Sequence, residues 1–267
     1  MATLHLPEVD LHYVVEGSGP RLLFFNGSGS SIAEMALLIE VLSSRFELLV
    51  HDQRGLGLTG IPTGPAPTMA DYARDGVALL DHLGWGSARV LGLSFGGMVA
   101  QEFAVTHPER VERLGLLCTS SGGRGGSSYP LHELADLSPE ERRRVEVAIA
   151  DTRFDEAWLA DHPSDRALAE HLAGRRDTEL PDERRRGAAL QLAARRHHDT
   201  YDRLEAITCP TLVAAGRFDG TAPLENSEAL AARIPGALLR VYEGGHPFLV
   251  QDPRAISEVM DFLASDG

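Results

Sequence analysis

The stretch ARVLGLSFGGMVAQEF, residues 88–103, constrains the fold more than any other part of the chain. A short apolar run stops at Ser94 and a longer apolar-periodic run begins at once, with Gly92 before the serine and Gly96 and Gly97 after it. A strand passing straight into a helix needs a tight turn, and its apex residue is forced toward strained backbone angles. Glycine on either side removes the Cβ atoms that would collide as the two elements close up. Such a turn presents the Ser94 hydroxyl beside a helix N-terminus, with the backbone N–H of Phe95 aimed where negative charge would develop.

Short apolar runs alternate with longer amphipathic ones along the rest of the chain, which at 267 residues is long enough for one large α/β domain. Residues 21–26, 46–52, 88–94, 111–118, 210–216 and 237–244 are predicted strands, and the opening LHLPEVDLHYVVEG alternates as an antiparallel edge pair should. Thr68 followed by Asp71 predicts an N-cap for one helix, His107-Pro108 ends the helix after Ser94, and PRAISEVMDFLASDG closes the chain as another. This pattern predicts a mostly parallel central sheet flanked by helices. From Ser121 to Asp202 the rhythm breaks into charged, helix-favouring sequence. Residues 121–202 are therefore expected to form a helical cap inserted between core strands, with 1–120 and 203–267 as the core. The clusters Arg142 to Arg144 and Arg184 to Arg186 alternate with acidic residues and are expected to be solvated faces, and GGRGGSS at 122–128 a flexible loop.

A formal charge of −14 argues against nucleic acid as a partner. No basic-then-apolar leader opens the sequence and no apolar run is long enough to span a bilayer, so the expectation is a cytoplasmic protein without membrane insertion. Cys118 and Cys209 are too few for a disulfide framework and are expected to be buried thiols in a reducing compartment. All 25 Lys/Arg residues are arginines. Without lysine there is no Schiff-base chemistry, no pyridoxal-phosphate anchor and no P-loop, and no cofactor or metal is expected.

A serine hydroxyl is a weak nucleophile and needs a base oriented by a carboxylate. Among 11 histidines most have ordinary placements, His197 and His198 on an arginine-rich face and His82 on an amphipathic helix. His246 differs, because YEGGHPFLV puts it on a glycine-rich loop just after the last strand. Asp219 lies three residues past its strand in PTLVAAGRFDGTAP. Asp252 is expected instead to cap a helix ahead of Pro253, and Asp52 to pair with Arg54.

The order Ser94, Asp219, His246 resembles that of the α/β-hydrolase superfamily, and GLSFGG looks like its nucleophile elbow. HDQRGLGLTG, EGGHPFLVQDP and VVEGSGPRLLFFNGSG are similar to its other recurrent blocks. GLSFGGMVAQEFAVTHPERVERLGLLCTS most resembles the small carboxylesterase and 3-oxoadipate enol-lactonase-like branch. The resemblance implies a serine hydrolase of a small ester or lactone, working through an acyl-enzyme with Ser94, His246 and Asp219 as triad. It also implies an oxyanion hole built from the backbone N–H groups of Ser28 and Phe95. Many relatives have His-Gly where this chain has Asn26-Gly27, so Asn26 is expected to hold that loop by hydrogen bonds. Relatives that hydrolyse C–C bonds of diketones share the triad, and receptor-like relatives bind ligands with little turnover. Haloalkane dehalogenase-like and epoxide hydrolase-like chemistry needs aspartate where Ser94 stands. A pocket is expected from Asn26, Tyr129, Phe154, Trp158, Tyr201 and Phe248, with cap-to-core packing claiming at least half of the cap aromatics. The protein is expected to be a monomer or homodimer.

Overall fold

The computed structural model describes residues 2–174 and 181–265. Eight strands form one sheet: β1 (Ala2–His5), β2 (Asp10–Glu16), β3 (Arg21–Phe25), β4 (Glu47–His51), β5 (Ala88–Leu93), β6 (Val111–Leu117), β7 (Thr211–Gly216) and β8 (Leu238–Tyr242). Their spatial order is β1-β2-β4-β3-β5-β6-β7-β8, with β1 and β2 antiparallel and every other pairing parallel. The six predicted strands and the edge pair are all present, each within a residue or two of its expected ends. Central strands read as unbroken Leu, Val, Phe and Ala because helices cover both of their faces; in β7 all six residues are buried.

Helices α1 (Ala36–Ser43), α2 (Met69–His82) and α3 (Phe95–Thr106) follow β3, β4 and β5. Between β6 and β7 lie α4 (Pro139–Ala150), α5 (Glu156–Asp161), α6 (Pro163–Gly174) and α7 (Asp182–Arg196). The chain ends with α8 (Leu224–Arg233), α9 (Phe248–Gln251) and α10 (Ala255–Ala264). Thr68 and Asp71 cap α2 reciprocally, each side chain bonding the other's backbone N–H. One core cluster joins the sheet to α2, α3 and α8 through Tyr72, Leu79, Phe103 and Leu230. A second, on the opposite face, joins it to α1 and α10 through Leu42, Val259 and Leu263. Helix α3 is buried from Phe95 through Ala104, which fixes the turn that precedes it.

The chain leaves β3 toward β4 on one side and enters β5 on the other, so the C-terminal ends of β3 and β5 flank the switch point of the sheet. An open α/β sheet leaves its crevice there. The loop after β3 and the turn after β5 are therefore neighbours, although almost 70 residues separate them in sequence.

The segment expected to be a cap carries four helices and, among the described residues, no strand beyond an isolated bridge between Gly122 and Asp199. Residues 175–180, including Arg175 and Arg176 of its charged run, lie outside the described residues. Several local expectations need correction. The glycine-rich loop is tied down: Ser128 bonds the Ser120 hydroxyl (2.8 Å) and Ser127 O accepts from Asn226 (3.2 Å). His198 is buried, not on a solvated face, and burial pushes its imidazole down to about 4. Arg144 does meet Glu140 one turn away, but Arg184 turns inward onto Glu34. Asp252 binds the backbone N–H and guanidinium of Arg254 (3.0 and 2.8 Å) and does not start a helix at Pro253.

Asp52 does not pair with Arg54. It accepts the backbone N–H groups of Ile32 (2.7 Å) and Leu58 (2.8 Å), joining the loops after β3 and β4. Arg54 instead forms a bidentate pair with Asp75 of α2, both contacts at 2.7 Å and both side chains buried. Removing one member strands the other charge away from water. Arg54→Met is expected to cost about 3–5 kcal/mol, and Arg54→Met/Asp75→Leu to recover most of that loss. Urea denaturation of the two variants checks this, and a double variant no more stable than the single one refutes it.

Candidate active site

Ser94 sits at the apex between β5 and α3 with φ 54° and ψ −114°, angles that glycine enters freely and L-residues rarely do. Its N–H donates to Leu117 O of the adjacent strand (2.9 Å), and its carbonyl accepts from Gly97 N (2.9 Å) and Thr119 Oγ1 (2.8 Å). The turn is thus locked from both sides. The glycines around it answer to contact: a Cβ on Gly92 would lie 2.4 Å from Gly96 O, and one on Gly96 would lie 2.0 Å from Phe25 O. A Cβ on Gly97 would meet Thr119 at 2.6 Å. Ser94 caps nothing with its side chain, which leaves Oγ available.

His246 Nε2 lies 3.0 Å from Ser94 Oγ, and its Nδ1 lies 2.7 Å from Asp219 Oδ2. Because the carboxylate only accepts, the proton is assigned to Nδ1, and Nε2 is left to accept from the serine. The other Asp219 oxygen takes the backbone N–H groups of Thr221 (2.8 Å) and Ala222 (2.7 Å). The Asp219 side chain is fully buried, whereas that of His246 keeps about a quarter of its surface exposed. Burial disfavours the imidazolium, but the Asp219 charge and the adjoining Cys118 sulfur outweigh it and hold the pKa well above the ordinary value of 6.5.

The loop after β3 abuts this turn: a Cβ on Gly27 would be 3.9 Å from Ser94 Cβ. Among the described residues, the backbone N–H groups of Ser28 and Phe95 bond no other part of the chain. The Ser28 hydroxyl is buried with no hydrogen-bond partner. Asn26 is buried, and its Nδ2 donates to Ser30 O (3.0 Å).

The end of α4 grips the loops that carry the acid and the imidazole. Ile149 O accepts Gly220 N (3.0 Å) and Thr221 Oγ1 (3.1 Å), while Ala150 O accepts His246 N (2.6 Å). Gln251 binds Gly245 N (2.8 Å) through its oxygen and Asp151 (2.9 Å) through its nitrogen.

The six expected pocket residues divide. Asn26 lies in the loop beside Ser94, and Tyr129 lies beside the Asp219 turn, donating its N–H to Thr221 O (2.7 Å). Phe154 is buried just past the α4 grip, with its N–H on Asp151 O (2.9 Å). The other three are taken up in packing. Phe248 is fully buried in the core and stacks on Tyr242 (5.3 Å). Trp158 stacks on His162 (3.6 Å), lies under the Arg153 guanidinium and donates to Asp165. Tyr201 packs against the α2–α3 core between Arg124 and Arg233.

Three residues near the site escape sequence reasoning. Cys118, expected to be an inert core thiol, is buried with φ 40° and places its sulfur within 4.8 Å of the Asp219 and His246 ligand atoms. Gln53 and Gln191 are fully buried and hydrogen-bonded to each other across 138 residues (2.9 Å). The only local signal was one glutamine in HDQRG and another inside a charged helix, and neither is distinctive.

Comparison with known proteins adds four findings. A family model described as the alpha/beta hydrolase fold matches residues 20–253. A poly(3-hydroxyalkanoate) depolymerase from Ectopseudomonas oleovorans is 30% identical, over 99% of this chain and 92% of that one. A 3-oxoadipate enol-lactonase 2 from Acinetobacter baylyi is 27% identical, over 97% of this chain and 94% of that one. Among solved structures, a thermophilic esterase from Thermogutta terrifontis superposes with TM-score 0.74 at 28% identity, covering 98% and 97% of the two chains.

Proposed function

Since this chain belongs to the alpha/beta hydrolase fold family, we propose that it is a serine hydrolase that cleaves small carboxylic esters or lactones through an acyl-enzyme. One observation carries the reading: an unbroken hydrogen-bonded line from Ser94 Oγ through His246 to Asp219, at a turn whose next N–H is free. Ester or lactone cleavage, as against other uses of such a line, is supported by the names of the relatives, a polyester depolymerase, an enol-lactonase and an esterase.

In this reading Ser94 Oγ attacks the carbonyl carbon as His246 Nε2 takes its proton. Asp219 holds the ring in the required tautomer and stabilises the imidazolium. The oxyanion is met by the N–H groups of Phe95 and Ser28, each lowering the barrier by roughly 3 kcal/mol. The unpartnered Ser28 hydroxyl supplies a third donor. His246 then passes its proton to the leaving alkoxide, and in the second half it deprotonates water, which releases the acid and restores Ser94. Residues 121–202 serve as a cap over this crevice, with Asn26, Tyr129 and Phe154 nearest the substrate. The helices of the described residues include none long and apolar enough to cross a membrane.

A fluorophosphonate should add one phosphonyl group per chain, mapped by peptide mass spectrometry to Ser94, in step with loss of p-nitrophenyl ester hydrolysis. Labelling elsewhere, or full activity after labelling, would refute the reading.

A further inference from the structure

We propose that Gln191, on helix α7, is a positioning residue that sets the oxyanion loop through a chain of buried amides. Gln191 Oε1 accepts the backbone N–H of Gly29 (2.8 Å), and its Nε2 donates to Gln53 Oε1 (2.9 Å). Gln53 Nε2 in turn donates to both oxygens of Asn26, backbone (2.8 Å) and side chain (2.7 Å). Asn26 Nδ2 returns to the same loop at Ser30 O (3.0 Å). The circuit begins and ends on residues 26–30 and passes through two side chains from outside it. All three carboxamides, of Asn26, Gln53 and Gln191, are fully buried, so a broken link leaves an unpaired polar group without water to replace it.

The Ser28 N–H lies between the two ends of this circuit. On one side Asn26 is held by Gln53. On the other, Gly29 is held at both faces by α7, since Arg184 donates to its carbonyl (3.1 Å) while Gln191 takes its N–H. Arg184 also pairs with Glu34, whose carboxylate binds the N–H and hydroxyl of Ser31 (both 2.8 Å). The peptide that carries the oxyanion donor therefore takes its orientation from a helix outside the sheet.

Helix α7 is itself clamped. A Cβ on Gly187, one turn before Gln191, would lie 1.8 Å from Gly55 O, so the helix backbone rests directly on the loop after β4. That loop also carries Gln53, two residues past the end of β4. The contact sets α7 and Gln53 at a fixed separation, and the Gln191–Gln53 bond spans it. Oxyanion stabilisation depends on donors fixed before the charge develops, and a shift of about 1 Å at such a donor costs on the order of 10² in rate.

This inference rests on the acyl-transfer reading, and the test separates the two. Wild-type enzyme, Gln191→Leu, Gln191→Glu, Gln53→Leu and Gln191→Leu/Gln53→Leu are assayed with a p-nitrophenyl ester and titrated with a trifluoromethyl ketone, which forms a tetrahedral adduct. Gln191→Leu should lose about 10–10² in kcat with KM within twofold, and the ketone Ki should rise by the same factor. Gln191→Glu keeps the acceptor for Gly29 but sets a second oxygen against Gln53 Oε1 in place of the Nε2 donor, so it should regain only part of the rate. The double variant should be no slower than the worse single one, because both cut the same chain. A merely structural role would lower Tm while leaving kcat and Ki in the folded fraction unchanged, and that result overturns the inference, as do multiplying losses in the double variant. Should Gln191→Leu fail to fold, the isosteric Gln191→Glu and Gln53→Glu carry the same comparison, with Gln53→Glu the slower. Absence of turnover and of ketone binding in the wild type would refute acyl transfer itself, whatever the variants do.

Discussion

Ser94→Ala is expected to lower kcat for a p-nitrophenyl ester by on the order of 10⁴–10⁶ without loss of stability. The Ser94 hydroxyl is the group that faces His246 Nε2, at 3.0 Å, so its removal leaves the base without the proton it is placed to take. Residual turnover, on the order of 10³–10⁴ above water, should come from the oxyanion donors and from binding. Stability should hold because the strain at this position belongs to the backbone. Alanine at φ 54° and ψ −114° keeps the same cost as serine, about 1–3 kcal/mol. Glycine does not. Ser94→Gly should therefore be equally inactive yet more stable than Ser94→Ala by about 1 kcal/mol, after its greater unfolded-state entropy is offset. Rates with urea midpoints of both variants check this. Wild-type turnover in Ser94→Ala would dismiss the nucleophile, and a glycine variant less stable than alanine would dismiss the strain.

What could be read from the chain follows the range of the forces involved. Ser94 and its glycines announce themselves because strand, turn and helix are contiguous, so their steric demands fall within six residues. His246 and Asp219 are legible for a related reason: each follows a strand end, and parallel strands bring all such ends to one rim. Side chains whose partners come from a different layer are not legible. Arg54 faces Asp75 of α2, not Asp52 two residues away, because Asp52 is already consumed by two backbone N–H groups. Trp158 and Phe248 look like pocket aromatics in sequence, but only the packed structure says that His162, Arg153 and Tyr242 already cover their faces. Gln191 is least visible of all, since a glutamine amid arginines on a helix carries no trace of a buried face. Its meaning depends on Gly187 four residues earlier, and that glycine is informative only once the Gly55 backbone is known to touch it.

Asp219→Asn is expected to cost about 10⁴ in kcat, and the geometry says why. Thr221 and Ala222 both point backbone N–H groups at Oδ1, so an asparagine here must keep its carbonyl oxygen toward them and turn its NH₂ toward His246. Nδ1 then accepts where it used to donate, and the ring proton moves to Nε2. A protonated Nε2 faces Ser94 and is unable to take its proton. The pH profile should change with it. In the wild type the Asp219 charge and the Cys118 sulfur overcome burial and keep the His246 pKa well above 6.5, so the rising limb of kcat/KM lies above pH 6.5. Without the carboxylate only the Cys118 sulfur still opposes burial, and the limb should shift to lower pH. Folding stability runs the other way. A raised imidazole pKa favours the native state fully below the unfolded value near 6.5, and that contribution is lost as pH rises through the native value. Wild-type Tm should therefore fall across the window in which activity rises, and in Asp219→Asn this fall should shrink. Kinetic profiles and melts of both proteins from pH 5 to 9 decide it. Coincident limbs, or equal slopes of Tm against pH, would mean that Asp219 does not set the charge of His246.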